Sequence, residues 1–231
     1  MNKQNRFLPT TKDEMKQRGW DELDVVLITG DAYIDSPFMG IAVVGRILED
    51  IGLRVGIIGQ PDINSDVDIK RLGEPKLFWG VSGGSIDSMV SNYTATKKFR
   101  NDDDYTPGGK NNKRPDRATL VYTNLIRRYF KNTVPIVLGG IEASLRRLTH
   151  YDYWSNTLRK PILFDSKADY MIYGMGEQAI IDLGLYLKEG KDVRTIAGLC
   201  YISKEPVKEY LQIPSHKECL ENKEKYIDLF R

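Results

Sequence analysis

Short apolar runs alternate along the chain with stretches whose apolar residues recur every three or four positions, the rhythm of strands interleaved with helices. DVVLITG (24–30) reads as a buried, β-branched strand closed by Gly30. In MGIAVVGRILEDIG (39–52), Ile41, Val44, Ile47, Leu48 and Ile51 share one helical face, and Gly52 stands where a helix-terminating glycine belongs. Further strands are predicted over RVGIIGQ (54–60), KLFWGVS (76–82), VPIVLGG (134–140) and ADYMIYG (168–174), with an edge strand over GLCYIS (198–203). Helical patterns occupy 85–93, 118–131, 142–148 and 177–190. Strands joined through helices predict an α/β fold: a doubly wound, mostly parallel, five-strand sheet of flavodoxin-like order, with ligands at the carboxyl ends of the strands.

Two segments break this rhythm. Residues 94–117 are polar and punctuated by Gly and Pro, and they far exceed the usual connection of about 2–6 residues. There Arg100, Lys110, Lys113, Arg114 and Arg117 alternate with Asp102, Asp103 and Asp104, which predicts a solvated flap rather than a nucleic-acid surface. The second segment, 149–167, is aromatic; its HYDYW string (150–154) suits a packed corner or a stacking surface for a base or a partner domain. After Ser203 the chain is charged and without a clear buried strand, so 1–203 is read as the α/β domain and 204–231 as a helical linker that packs poorly on the sheet. Near the start, Thr11-x-x-Glu14 matches a capping box.

Composition narrows the function classes. A hydrophobic content of 41% supports a sizeable core, and a net charge of +2 from 34 basic and 32 acidic residues gives no global polyanion-binding signal. No apolar run approaches the roughly 20 residues of a membrane span, and MNKQNRFLPTT lacks the apolar core of a secretory signal. The reading is a cytoplasmic protein without membrane or nucleic-acid partners. Two cysteines, Cys200 and Cys219, make neither a disulfide scaffold nor a metal motif. Cys200 is expected in the core and Cys219 at the surface.

Candidate chemistry collects at the predicted strand exits. GDAYIDSPFMG (30–40) places Asp31 and Asp35 before a helix start, as ligand-facing carboxylates or as turn and cap residues. VSGGSIDSM (81–89) contributes Ser82 and Gly83, and LGGIEASLRR (138–147) contributes Gly139, Gly140, Glu142 and Arg146. Glycines there let a ligand approach the backbone, and helix N-termini favour anions. These eight residues form the expected ligand cleft, suited to a small molecule with hydroxyl donors and a modest negative charge. The bland reading of Glu142 and Arg146 is an i, i+4 ion pair. GMGEQ (174–178) lacks G-x-G-x-x-G, so Glu177 reads as a helix-start residue and not as part of a dinucleotide site. No residue is assigned to catalysis or to a metal.

Several long strings, FLPTTKDEM (7–15), ITGDAYIDSPFMG (28–40), YTPGGKNNKRPDRATLVYTN (105–124), LGGIEASLRRLTHYDYWS (138–155) and DSKADYMIYGMGEQ (165–178), resemble the N-terminal domain of the YgiQ-type radical S-adenosylmethionine (SAM) proteins. The resemblance implies a [4Fe–4S] cluster and SAM in the full-length family, carried by a barrel supplied in cis or in trans. The family's CxxxCxxC motif is absent here, so the chain is expected to hold no cofactor and not to be catalytic alone. The alternative is a non-catalytic module that binds a small anionic ligand or a separate partner protein. The fold outline is also similar to cobalamin-binding domains, with Asp35 to Gly40 tracing D-x-x-x-x-G. Pro37, beside Ser36, stands where their cobalt-ligating histidine would be, so cobalamin is not expected.

Overall fold

The computed structural model describes residues 7–207 and 210–231. Its central sheet uses β1 (Val25–Thr29), β2 (Val55–Gly59), β3 (Phe78–Ser82), β4 (Ile136–Gly139), β7 (Tyr170–Ile172) and β8 (Leu199–Tyr201), in the order β2-β1-β3-β4-β7-β8. β5 (His150–Asp152) and β6 (Thr157–Arg159) form a separate antiparallel hairpin. The five predicted strands pair in parallel and in the predicted order, with Val25 facing Val55 on one side and Phe78 on the other. The edge strand β8 runs antiparallel to β7, pairing Met171 with Cys200 and making six strands.

Every residue of β1 is buried because helices cover both faces of the sheet. Side chains alternate between the faces: Val26, Ile28 and Trp79 enter one cluster, while Val25, Leu27 and Phe78 enter the other. The first face packs under α5 (Ala118–Tyr129), through Tyr122, Leu125 and Ile126, flanked by α3 (Val67–Lys70) and α7 (Ile162–Ser166). The second lies under α2 (Gly40–Asp50) and α8 (Glu177–Glu189), which contact each other and contribute Leu48 and Leu183. The capping box of α1 (Lys12–Gln17) forms as its sequence suggests: Thr11 Oγ1 accepts from the Glu14 amide, and Glu14 accepts from the Thr11 amide at 3.1 Å. Just before α1, the Pro9 carbonyl accepts from the Ile57 amide at 2.9 Å and covers the outer edge of β2.

Both insertions sit at the carboxyl edge. The Ala32 amide donates to the Tyr105 carbonyl at 2.9 Å, and Gln60 Nε2 donates to Thr106 Oγ1 at 2.7 Å. The flap is not uniformly solvated, which corrects the sequence expectation. Arg114, Asp103 and Asn111 are buried, whereas Lys110 and Lys113 remain exposed. The two insertions also meet, Lys97 Nζ donating to the Tyr153 carbonyl at 3.0 Å and Tyr153 OH to the Ala95 carbonyl at 2.7 Å. In the tail, α9 (His216–Glu221) and α10 (Lys223–Asp228) pack on each other and reach the aromatic segment. There the Tyr151 amide donates to Tyr226 OH at 3.1 Å. Cys219, expected at the surface, is buried in this contact region.

Asp152 fastens the hairpin to the domain. It accepts from Arg117 Nη2 at 2.7 Å, from Ser155 Oγ at 2.5 Å and from the Trp154 amide at 3.2 Å. Burial opposes its ionisation, but the Ser155 hydroxyl and the Arg117 guanidinium outweigh burial and hold its pKa at about 2, below the ordinary 3.8. A depressed carboxylate stabilises the fold above its ordinary pKa and loses that contribution as pH falls through its folded value. Between about pH 4 and pH 2 the chain should therefore lose roughly 2 kcal/mol that Asp152→Asn lacks throughout. Urea titrations across that window check this; equal pH slopes for parent and variant would sink it.

Candidate functional site

The carboxyl ends of β1, β3, β4 and β7 open, beneath α2 and α8, into a slot of about 440 Å³. Its floor follows the two-residue strand period, with Leu27, Val137 and Ile172 pointing into it, and Val44 of α2 and Ile180 of α8 closing the other side. The mouth is formed by three strand exits: Gly84–Ser85, Gly139–Gly140 and Gly174–Gly176. Side chains at Gly40, Gly139 and Gly174 would meet nothing within 4 Å, so the missing Cβ atoms contribute to the open space. Phe38 and Met175 stand at the rim 91% and 89% exposed, an apolar surface that water does not favour.

Of the eight residues expected to form one cleft, Asp31, Ser82, Gly139 and Gly140 line the slot. Asp35 and Gly83 are outside its lining, and Glu142 and Arg146 face a second, smaller cavity. Each carboxylate has a partner within the chain. Asp31 accepts from the Ser85 amide at 2.6 Å, from Ser85 Oγ at 2.7 Å and from Arg114 Nη2 at 2.8 Å. Burial pushes its pKa up, against the opposing pull of the Ser85 hydrogen bonds and the Arg114 charge. Arg114 also donates to the Gly30 carbonyl at 3.2 Å and faces Asp103 at 3.3 Å. Asp35 is held by Arg46 through a two-point ion pair, and Arg46 also reaches Glu49 at 2.7 Å.

Glu142 serves two helices at once. One oxygen accepts from the Ser88 amide at 3.0 Å at the start of α4 (Ser88–Asn92), the other from the Thr119 amide at 2.9 Å in the first turn of α5. A carboxylate there meets orphan N–H groups and the positive ends of both helix dipoles. Glu142 itself lies in α6 (Gly140–Leu145), which begins directly at the end of β4. Arg146, just past α6, pairs with Asp165 at 2.6 Å and donates to the Lys160 carbonyl at 2.9 Å, leaving no i, i+4 pair with Glu142.

Sequence reasoning missed Ser85, Phe38, Met175 and Arg114. Phe38 and Met175 carried a readable sign, an apolar residue inside a glycine-bearing turn. Arg114 carried none, because an aperiodic loop gives no hint of which of its charges is buried.

Among the described residues no group of three or more His, Cys, Asp or Glu could hold a metal ion. Cys200 lies half-buried in β8, its thiol pKa pushed up by burial, and Cys219 lies on α9. An iron–sulfur cluster takes several converging thiolates, and the residues here do not fit one.

A family model described as Radical SAM N-terminal matches residues 7–231. The chain belongs to this family. A UPF0313 protein of Fusobacterium nucleatum is 60% identical over 226 residues, and one of Thermotoga neapolitana is 54% identical over 228. Each match covers 97% of this chain but only 40% of the relative. A UPF0313 protein of Clostridium botulinum is 49% identical, with 36% of its length covered. The fold is also similar to that of the radical S-adenosylmethionine methyltransferase TsrM of Kitasatospora setae, solved with cobalamin and a [4Fe–4S] cluster bound. There the TM-score is 0.52 at 19% identity, over 79% of this chain and 29% of that one. Among the described residues, no helix is long and apolar enough to cross a membrane.

Two glycines separate tight packing from open space. A Cβ on Gly30 would strike the Gly83 carbonyl oxygen, whereas Gly139, at φ −152° and ψ −177°, is extended and faces the slot. Gly30→Ala should cost about 2 kcal/mol or more, and Gly139→Ala less than about 0.5. Urea denaturation of both variants tests this; a Gly139→Ala loss as large as that of Gly30→Ala would mean the slot is closed.

Proposed function

We propose that this chain is the ligand-holding, non-catalytic α/β part of a radical SAM protein, whose cluster and SAM reside in a barrel built from the additional length of its relatives. The observation that carries this is the apolar slot opening at the carboxyl edge, rimmed by the exposed Phe38 and Met175. Such an edge suits a domain that presents a ligand, or its own surface, to a second domain. The relatives' additional length and the lack of converging thiolates here support placing the cluster elsewhere. After anaerobic reconstitution, the Fusobacterium relative should retain about four irons and release 5′-deoxyadenosine from SAM under dithionite. This chain should do neither. Stoichiometric iron on this chain, or a relative without a cluster, would overturn the proposal.

What the slot holds is a narrower matter. A small molecule with an apolar body and a polar end fits the floor of Leu27, Val137 and Ile172 beneath a mouth lined by Ser82 and Ser85. A corrinoid held by its nucleotide tail is a second reading, supported by the position of this slot at the carboxyl ends of the strands and by the cobalamin bound in TsrM. No histidine lines the slot and Pro37 does, so the cavity offers cobalt no imidazole. On this reading, equilibrium dialysis should show hydroxocobalamin retained and cobinamide, which lacks the tail, not retained. Gly139→Val, which fills the slot, should abolish retention at an unchanged melting midpoint. Equal retention of the two corrinoids rejects the role of the tail, retention of neither rejects a corrinoid altogether, and both outcomes leave the domain assignment standing.

A further inference from the structure

A second cavity, of about 190 Å³, lies between the β5–β6 hairpin and the helices α4 and α6, and the slot plays no part in it. It brings together the two sequence motifs that the strand-exit site does not use, HYDYW (150–154) and the Glu142–Arg146 segment. Trp154 and Tyr153 form an aromatic wall, their rings edge to face at 5.4 Å. Arg117, Arg146 and Arg159 supply guanidinium groups, and Asp87, Glu142 and Asp152 supply carboxylates.

Equal numbers of charges do not leave equal hydrogen-bonding capacity. Both oxygens of Glu142 accept backbone amides, from Ser88 and Thr119. Asp152 is occupied by Arg117, Ser155 and the Trp154 amide. Asp87 caps α4, one oxygen accepting from the Met89 amide at 2.9 Å and the Val90 amide at 3.1 Å, and its other oxygen is left open. The guanidinium groups are less satisfied. Among the described residues the Arg159 side chain donates no hydrogen bond, and it is 40% exposed, so its terminal Nη groups are open. The Nε atoms of Arg146 and Arg159 are buried without an acceptor and out of a ligand's reach. Arg159 Nε only faces Asp152 across 3.3 Å as an ion pair. Against that one open carboxylate oxygen, the cavity keeps the terminal N–H donors of Arg159 beside an aromatic wall. A planar group bearing a carboxylate complements both, its ring against Trp154 and its oxygens on Arg159.

We infer that this cavity is a binding site for a small aromatic or heteroaromatic carboxylate. The probe is indole-3-carboxylate, compared with its neutral isostere indole-3-carboxamide, titrated into the ¹⁵N-labelled chain. The carboxylate should bind at least about tenfold more tightly than the amide, since only it makes charge-assisted bonds. Its shift changes should fall within 87–90, 142–146 and 150–159, and should persist in Gly139→Val, which occupies only the slot. Arg159→Gln should weaken carboxylate binding by about tenfold or more, with an unchanged melting midpoint and little change for the amide. Equal affinity for carboxylate and amide, shifts confined to the slot, parental affinity in Arg159→Gln, or no binding at roughly millimolar concentration would each overturn the inference.

Discussion

The guanidinium of Arg114 has no side-chain exposure, and the two carboxylates it joins, Asp31 and Asp103, are 2% and 1% exposed. The exit of β1 and the lobe folded over it depend on that contact. Asp31 leaves β1, Asp103 lies in the long excursion between α4 and α5, and Arg114 draws the excursion down onto the strand exit. With the Arg114 charge in place, Asp31 orients Ser85 through its amide and hydroxyl, and Ser85 shapes one lip of the slot. Stranding either acid without the guanidinium would cost about 3–5 kcal/mol, the typical penalty for breaking a buried pair. The ion pair is therefore better understood as fixing one geometry than as a net source of stability.

The glycines around it are matched to this constraint. Gly30 has no room for a Cβ because the Gly83 carbonyl lies against it, and Gly84, at φ +119°, packs on the Asp31 carboxylate. A strand exit crowded with backbone forces its neighbours to be small, and the same smallness a few residues away leaves the slot open at Gly139. One sequence character, glycine after a strand, thus marks two opposite physical situations. That is why the GG pairs marked strand exits without separating packed positions from vacant ones.

The sheet was legible because its strands are largely buried on both faces and read as short apolar runs, and because α2 and its C-cap display Ile41, Val44, Ile47, Leu48 and Ile51 with helical spacing. β8 was legible as a strand but not in direction, since a three-residue edge element carries no mark of parallel or antiparallel pairing. The expected cleft was only partly legible. Asp31, Ser82, Gly139 and Gly140 line the slot, whereas Asp35 turned to Arg46 and Glu142 to two helix starts. A carboxylate's sequence context shows that it sits near a helix end, and only packing decides whether that end belongs to its own helix or to others.

Glu142 holds the starts of α4 and α5 together, and those two helices are the points where the excursion over 94–117 departs and returns. The excursion is therefore a closed lobe on a fixed stem. For such a lobe the entropy of closing the ends grows only with the logarithm of the loop length, about 0.6 kcal/mol for each doubling. Length is therefore not what fixes this loop; its residues are. Gly108 and Gly109 both adopt positive φ at its outer turn, and at its base Asp103 and Arg114 form the buried contact that holds the carboxyl edge in shape.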